Sequence, residues 1–316
     1  MAGVSPGKDP RSARVVVRAP ATSANLGPGF DTFGLALSMH DVVEASAYFE
    51  RDVASERAPL TLTVDGVGAD DVPRDETHLV VRAMRRCFSE LGAEPASLEL
   101  SCRNVLPHGR GLGSSSAAIV AGVLAARGLA GQETTSGSAI DGVLDLASRI
   151  EGHPDNVAPC LLGGFTIAWT GDDGVAHATR LNPHPEIVPV ICIPSVALAT
   201  TTARGLLPQA VPHTDAARNA GRAALLVEAV TRRPDLLVEA TQDRLHQAYR
   251  EPAMPESIAL MSALRQRGLP AVVSGAGPSI LVLARGDEVS RVRELASGWD
   301  VRAVPVDAVG AVANDT

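Results

Sequence analysis

Lysine is almost missing from this sequence: Lys8 is its only one, and every other basic residue is arginine. Beyond the N-terminal segment, no lysine is available as a phosphate ligand, a Schiff-base former or a general base. Aromatic residues are also scarce, at 3%, although hydrophobic residues make up 45% of the 316 positions. The core must therefore rest on Val, Leu, Ile and Ala. Cys87, Cys102, Cys160 and Cys192 stand alone in apolar settings with no CxxC pair. Neither a zinc site nor a disulfide framework is indicated, and buried thiols in a reducing cytoplasm are expected. No apolar run approaches the ~20 residues of a membrane span, and Met1 to Arg14 lack the apolar stretch of a signal peptide. A cytoplasmic location is expected. Blocks of positive charge are absent too, and the formal net charge is −8. That argues against nucleic acid or a membrane as partner, while local arginines still leave room for an anionic substrate.

The length suits two packed domains at roughly 100–200 residues each. Strand-like runs are expected at 14–17, 35–45, 60–64, 98–102, 165–169, 187–193, 271–274, 280–284 and 301–306. Helix-like periodicity is expected at 77–91, 114–129, 140–151, 214–230, 234–247, 258–266 and 287–296. Strands and helices do not alternate regularly, which favours α+β layers over a doubly wound sheet. A Gly171–Gly174 turn and the proline-rich Asn182–Pro189 segment suggest a domain change. The expected division is a mobile tail at 1–13, a first domain at 14–170 and a second domain at 171–316.

The run PHGRGLGSSSA, residues 107–117, follows a strand and opens a helix of small residues. Its glycines permit backbone angles closed to other residues and let amides approach an anion. The first helical turn leaves N–H groups unpaired at the positive end of the dipole. Ser114, Ser115 and Ser116 add hydroxyls for phosphate oxygens or Mg²⁺. A Walker A loop would end in Gly-Lys-Ser/Thr, and a GxGxxG dinucleotide turn would need other spacing and an earlier strand-turn-helix unit. The remaining alternative is a serine N-cap on an alanine-rich helix.

Three further motifs accompany the loop. APATSANLGPGFD, residues 19–31, places Asn25 and Asp31 on either side of a tight turn, a pattern suited to an ammonium group. An Asx turn bonding only local backbone is the alternative. EGHPDNVAP, residues 151–159, closes a helix with four polar groups, and SGAGPS, residues 274–279, is a glycine turn between strands.

In this order and spacing the motifs resemble those of the GHMP kinase superfamily and, within it, the homoserine kinase family. The likeness rests on APATSANLGPGFDTFGLAL, LPHGRGLGSSSAA, EGHPDNVAPCLLGG and SGAGPSILVLA, and runs over nearly the whole chain. It implies an N-terminal α/β domain and a C-terminal ferredoxin-like domain with the site in the cleft between them. The implied reaction is phosphorylation of L-homoserine by ATP to O-phospho-L-homoserine in threonine biosynthesis, with Mg²⁺; a homodimer is implied at family level only.

The same resemblance implies roles for residues. Pro107, His108, Gly109, Arg110, Gly111, Leu112, Gly113, Ser114, Ser115, Ser116 and Ala117 wrap the triphosphate, with Ser115 and Glu151 beside Mg²⁺. Asp31 pairs the substrate ammonium, with Asn25 and His153 nearby. Arg204 and Arg250 grip the carboxylate, as arginine forks do well, and Thr200 joins the substrate-binding set. Asn156 orients the hydroxyl while Asp155 supports electrostatically; the alternative makes Asp155 the general base. Other readings are a GHMP kinase for a different alcohol, a silent ligand-binding member, and a Ser115–His153–Asp155 hydrolase, which lacks the GxSxG elbow.

Overall fold

The computed structural model describes residues 12–49, 59–134 and 136–315. The expected tail at 1–13 lies outside the described residues as far as residue 11, and Ala13 already belongs to the first strand. In chain order the first elements are β1 (Ser12–Ala24), β2 (Phe33–Tyr48), β3 (Leu60–Gly66), α1 (Leu79–Leu91), β4 (Ser97–Asn104), α2 (Ser114–Leu129), α3 (Gly137–Glu151), α4 (Val157–Leu162), β5 (Phe165–Thr170) and β6 (Ala176–Leu181). There follow β7 (Ile187–Ile193), α5 (Thr200–Gly205), α6 (His213–Thr231), α7 (Leu237–Ala240), α8 (Pro255–Gln266), β8 (Ala271–Val273), β9 (Ile280–Arg285), α9 (Glu288–Leu295), β10 (Asp300–Ala303) and β11 (Val312–Asp315).

Two sheets result. The first has the order β11-β1-β2-β4-β3, with β5 also paired to β2 and β6 to β5. Only β3 and β4 run parallel; the other ladders of this sheet are antiparallel. The second sheet is antiparallel throughout, in the order β10-β7-β9-β8. Counted along the chain, that is fourth-first-third-second, with helices between its first and second strands and between its third and fourth: the ferredoxin-like arrangement. Sheet membership does not follow one cut after residue 170, because β6 and β11 both pair into the first sheet.

The core needs few aromatics because α2 is built from small and branched residues. Eleven of its sixteen residues are buried, so it is apolar nearly all round, as a central helix must be. Gly122 makes the crossing with α1 possible: a Cβ there would lie 2.6 Å from the Val80 carbonyl oxygen and 2.8 Å from the Ala83 Cβ. Strand β7 joins the two layers. Val190 and Cys192 face the core beneath α8 and α9, while Ile191 and Ile193 face the main core. Both faces of β7 are thus covered, which accounts for its unbroken apolar run.

The helix expected at 234–247 breaks. A 3₁₀ turn at Pro234–Leu236 leads into α7, which ends at Ala240. The Asp243 carboxylate then accepts from the backbone N–H groups of Leu245, His246 and Gln247. A short polar side chain competing for backbone donors ends a helix in this way.

Candidate active site

The phosphate loop hangs between β4 and α2. Gly109, Gly111 and Gly113 all take positive φ, between 63° and 69°. The N-cap of α2 is Gly113 and no side chain caps the helix, so the serine-cap alternative fails. Ser114, Ser115 and Ser116 form the first turn, where amides point outward at the positive end of the dipole. The loop is held from behind. The Thr22 N–H donates to the Leu112 carbonyl at 3.1 Å, and the Ser274 hydroxyl donates to the Gly111 carbonyl at 2.6 Å. The Arg110 guanidinium is already engaged, donating to the carbonyls of Pro194, His108 and Ser195. It ties the loop to the segment after β7 through three of its five N–H donors. Leu112 is buried and can offer only its backbone.

On the acceptor side, the first motif is half strand and half loop. β1 runs through Ala24, past an irregularity between Pro20 and Ala21. The loop then puts Asn25, Leu26 and Asp31 at positive φ of 69°, 47° and 54°. Such angles cost most non-glycine residues roughly 1–2 kcal/mol, less for Asn and Asp, so at Leu26 above all the surroundings must impose them. They do so through several bonds. The Asn25 amide donates to the Gly275 carbonyl at 2.8 Å and accepts from the Asp31 N–H at 2.9 Å. Asn219 donates to the Pro28 carbonyl, and His246 Nε2 bonds the Gly27 carbonyl, both at 2.8 Å. Asn25, expected beside the ammonium group, is 4% exposed, and its amide bonds shape the loop that carries Asp31.

Arg204 and Arg250 come from α5 and from a 3₁₀ turn at Ala248–Ala253. Arg204 grips Asp31 with two bonds, of 2.6 and 3.0 Å. Thr200 lies one turn before Arg204 on α5 and is exposed. Arg250 is 1% exposed, and among the described residues its Nε has no partner. Its Nη1 donates to the Gly275 carbonyl at 2.9 Å. Burial, and after it the charge of Arg204, bring the Arg250 guanidinium down to about 10. Both guanidiniums lie over the Phe30 ring, at 5.5 and 5.8 Å, and His246 packs tilted against that ring at 5.2 Å.

Between these two halves sits the third motif. Glu151, at the end of α3, accepts from the hydroxyls of Ser115 and Ser116 at 2.6 and 2.9 Å through one oxygen. Sequence spacing of 35 or 36 residues collapses here into contact, bringing the two proposed metal neighbours together. Two hydroxyls and a carboxylate form an all-oxygen donor set, which suits a hard cation such as Mg²⁺. Among the described residues, no group of three or more His, Cys, Asp or Glu is arranged to hold a metal. His153 Nδ1 bonds Asp155 Oδ1 at 2.6 Å. Burial opposes charge on His153, but the hydrogen bond and the carboxylates of Asp155 and Glu151 outweigh it, so its pKa is raised. Asn156 precedes α4, and its Oδ1 accepts from the Thr22 hydroxyl at 2.7 Å. With the amide oxygen taken, the Asn156 NH₂ is the end left to meet a ligand. Ser115, His153 and Asp155 do not form a relay, since the Ser115 hydroxyl is bonded to Glu151.

A cavity of about 240 Å³ opens beside the loop, lined by Val72, His78, Asn104, His108, Ser114 and Ser115 among others. Its position next to the α2 N-terminus suits the nucleoside part of a nucleotide. Sequence reasoning missed Val72, His78 and Asn104 here, as it missed Thr22, Asn219 and His246. Their partners are distant in sequence, and no local motif marks them. All four cysteines are buried and unpaired, as expected, and burial raises each thiol pKa, that of Cys87 to about 11. Among the described residues no helix is long and apolar enough to cross a membrane.

Comparison with known proteins adds a second line of argument. The family model "GHMP kinases N terminal domain" matches residues 78–164, and "GHMP kinases C terminal" matches residues 220–297. A homoserine kinase of Streptomyces coelicolor is 54% identical over 306 residues, covering 95% of this chain and 94% of that protein. One from Mycobacterium tuberculosis is 46% identical over 272 residues, 85% of this chain and 84% of its own length. The crystal structure of homoserine kinase from Cytophaga hutchinsonii matches with a TM-score of 0.82 at 27% identity, covering 99% of this chain and 100% of that one. Mevalonate diphosphate decarboxylase from Staphylococcus aureus matches at 0.67 and 13% identity, over 96% of this chain and 98% of that one, a likeness of fold alone.

Proposed function

The chain belongs to the homoserine kinases of the GHMP kinase family, which phosphorylate the side-chain hydroxyl of L-homoserine from ATP, and we propose the following division of labour in its cleft. The N-terminal turn of α2 and the glycine loop before it hold the triphosphate through backbone N–H groups. The nucleoside lies in the cavity lined by His78 and His108. Ser115 and Glu151 hold Mg²⁺, which when bound neutralises charge on the transferring phosphoryl group. Asp31 takes the substrate ammonium, and Arg250 and Arg204 take its carboxylate. The single observation that carries the acceptor assignment is Arg250: a buried guanidinium with an unpartnered Nε calls for an anion. The four reduced, buried thiols fit a cytoplasmic enzyme.

The chemical step then needs positioning more than a strong base. Thr22 fixes the Asn156 amide so that its N–H groups meet the homoserine oxygen, leaving the hydroxyl proton free to pass to a γ-phosphate oxygen. Asp155 is committed to His153 at 2.6 Å and favours its charged form. His153 and Asn156 thus line the acceptor pocket, and Asp155 acts from behind them.

ADP release measured over a panel of amino-acid and sugar alcohols tests the function directly. L-Homoserine is expected to be the preferred acceptor, and absence of turnover with it would refute the reading. Asp155→Asn tests the division of labour. Its kcat is expected to fall about tenfold, or about 1.4 kcal/mol. A fall of about 10³ or more would make Asp155 the base.

A further inference from the structure

Beside the His153–Asp155 pair, the acceptor subsite brings the Arg204 and Arg250 guanidiniums to the Asp31 carboxylate, and they are unevenly engaged. Arg250 is buried, and among the described residues its Nε has no partner. Arg204 is one-third exposed and spends both terminal nitrogens on Asp31, itself one-third exposed. The pair spans 173 residues of chain, from the β1–β2 loop to α5. The Asp31 backbone is the fixed side of the pair: its N–H donates to Asn25 and its φ is 54°. Arg204 can leave: its side chain is long and partly exposed, and its helix has six residues.

We propose that the Asp31–Arg204 ion pair is the specificity element of the acceptor subsite, admitting an ammonium group to Asp31 only when the same ligand brings a carboxylate for the displaced Arg204. The inference rests on the acceptor assignment above and extends it. A zwitterion exchanges one ion pair for two and leaves the net charge of the subsite unchanged. An amino alcohol without a carboxylate must break the pair and adds a third positive charge beside two guanidiniums. A hydroxy acid without an ammonium group can still reach Arg250 with the pair intact. Rejection is therefore unequal: amines are excluded more strongly than acids. Ordinary loss of contacts would not produce that inequality, since it penalises whichever group is missing. Bidentate charge-assisted bonds are the strong class of hydrogen bond, so the displacement has a measurable cost.

The test uses the whole protein, with 3-aminopropan-1-ol and 4-hydroxybutanoate as competitors of L-homoserine. Arg204→Ala is expected to lower kcat/KM for L-homoserine about 100-fold. In the same variant, the Ki of 3-aminopropan-1-ol is expected to improve about tenfold, because Asp31 is now free. Asp31→Asn keeps a residue that tolerates the left-handed region and frees Arg204, so the Ki of 4-hydroxybutanoate should improve about fivefold. If Arg204→Ala does not fold, the Asp31→Asn arm decides alone. An amino-alcohol Ki unchanged or worse in Arg204→Ala, no inhibition measurable in either protein, or no gain for 4-hydroxybutanoate in Asp31→Asn overturns the proposal. Wild-type turnover of L-homoserine separates the cases: if it persists while the gains are missing, only the exchange is wrong, and if it is absent, the function itself is.

Discussion

Glu151→Gln is expected to lower kcat/KM for both substrates by about 10²–10³, a loss of about 3–4 kcal/mol of charge stabilisation. It is also expected to raise the Mg²⁺ concentration needed for half-maximal rate. Glu151 is the carboxylate that meets the phosphate loop, accepting from Ser115 and Ser116 through one oxygen. Its second oxygen has no partner among the bonds described. Glutamine keeps the length and can still accept from the two hydroxyls, so the loop and the end of α3 should survive. What it loses is the negative charge that would hold a divalent cation. ATP binding measured with and without Mg²⁺ separates the two roles: the variant should bind free ATP as well as wild type and lose the Mg²⁺-dependent gain. An unchanged Mg²⁺ requirement with kcat within fivefold of wild type would show that Glu151 merely anchors serines.

The second large effect comes from a methyl group in the loop. A Cβ at Gly111 would lie 2.1 Å from the Ser274 carbonyl oxygen and 2.9 Å from that of Gly277, with φ at 69°. Both obstacles are backbone, in the turn between β8 and β9, and that turn also carries the carbonyl to which Asn25 and Arg250 donate. Gly111→Ala must therefore push the phosphate loop off the second sheet or distort the acceptor side with it. We expect a stability loss of about 2–4 kcal/mol, from the left-handed backbone and overpacking together. The KM for ATP should rise at least tenfold, since the loop's amides are displaced from the phosphate positions. Gly109→Ala is the control. It shares the left-handed backbone, but the nearest atom to its Cβ would be the Ala197 methyl at 3.2 Å, with Leu198 backbone at 3.6 Å or more, so its cost should stay near 1–2 kcal/mol, roughly that of the backbone angle. Thermal unfolding and ATP titration of both variants check this. Equal losses in the two would mean that contact with the Ser274 turn is unimportant.

The sequence disclosed those parts whose signal is local. α2 was expected at 114–129 and β7 at 187–193, and both occur with those bounds, since a glycine-rich entry and an unbroken apolar run mark their own limits. β6 and β11 were not foreseen. β6 reads Ala-His-Ala-Thr-Arg-Leu with only Ala176 buried, so its pairing to β5 leaves little apolar trace. Strand β11 exists through its ladder with β1, which no local pattern encodes. The same division holds at the site. Glycines, serines and polar clusters were legible as motifs, because chemistry concentrates them. The partners that fix their geometry were not. Thr22 reaches Asn156 across 134 residues and Asn25 reaches Gly275 across 250. Arg110 shows the same limit: inside the loop motif it reads as a phosphate ligand, and its bonds to three backbone carbonyls, two of them about 85 residues away, carry no local mark.

Strand β11 also bears on how the chain comes to be folded. It lies beside β1 at the margin of the first sheet, although the whole second sheet is encoded between them. During synthesis β1 must wait, its outer hydrogen-bonding edge bare, while the remaining strands are made. An unpaired edge is an invitation to foreign strands, and domains normally fold as units in the order they emerge. Here the order of emergence and the order of pairing disagree. The first sheet therefore cannot be closed as an isolated N-terminal piece, and the two sheets mature together.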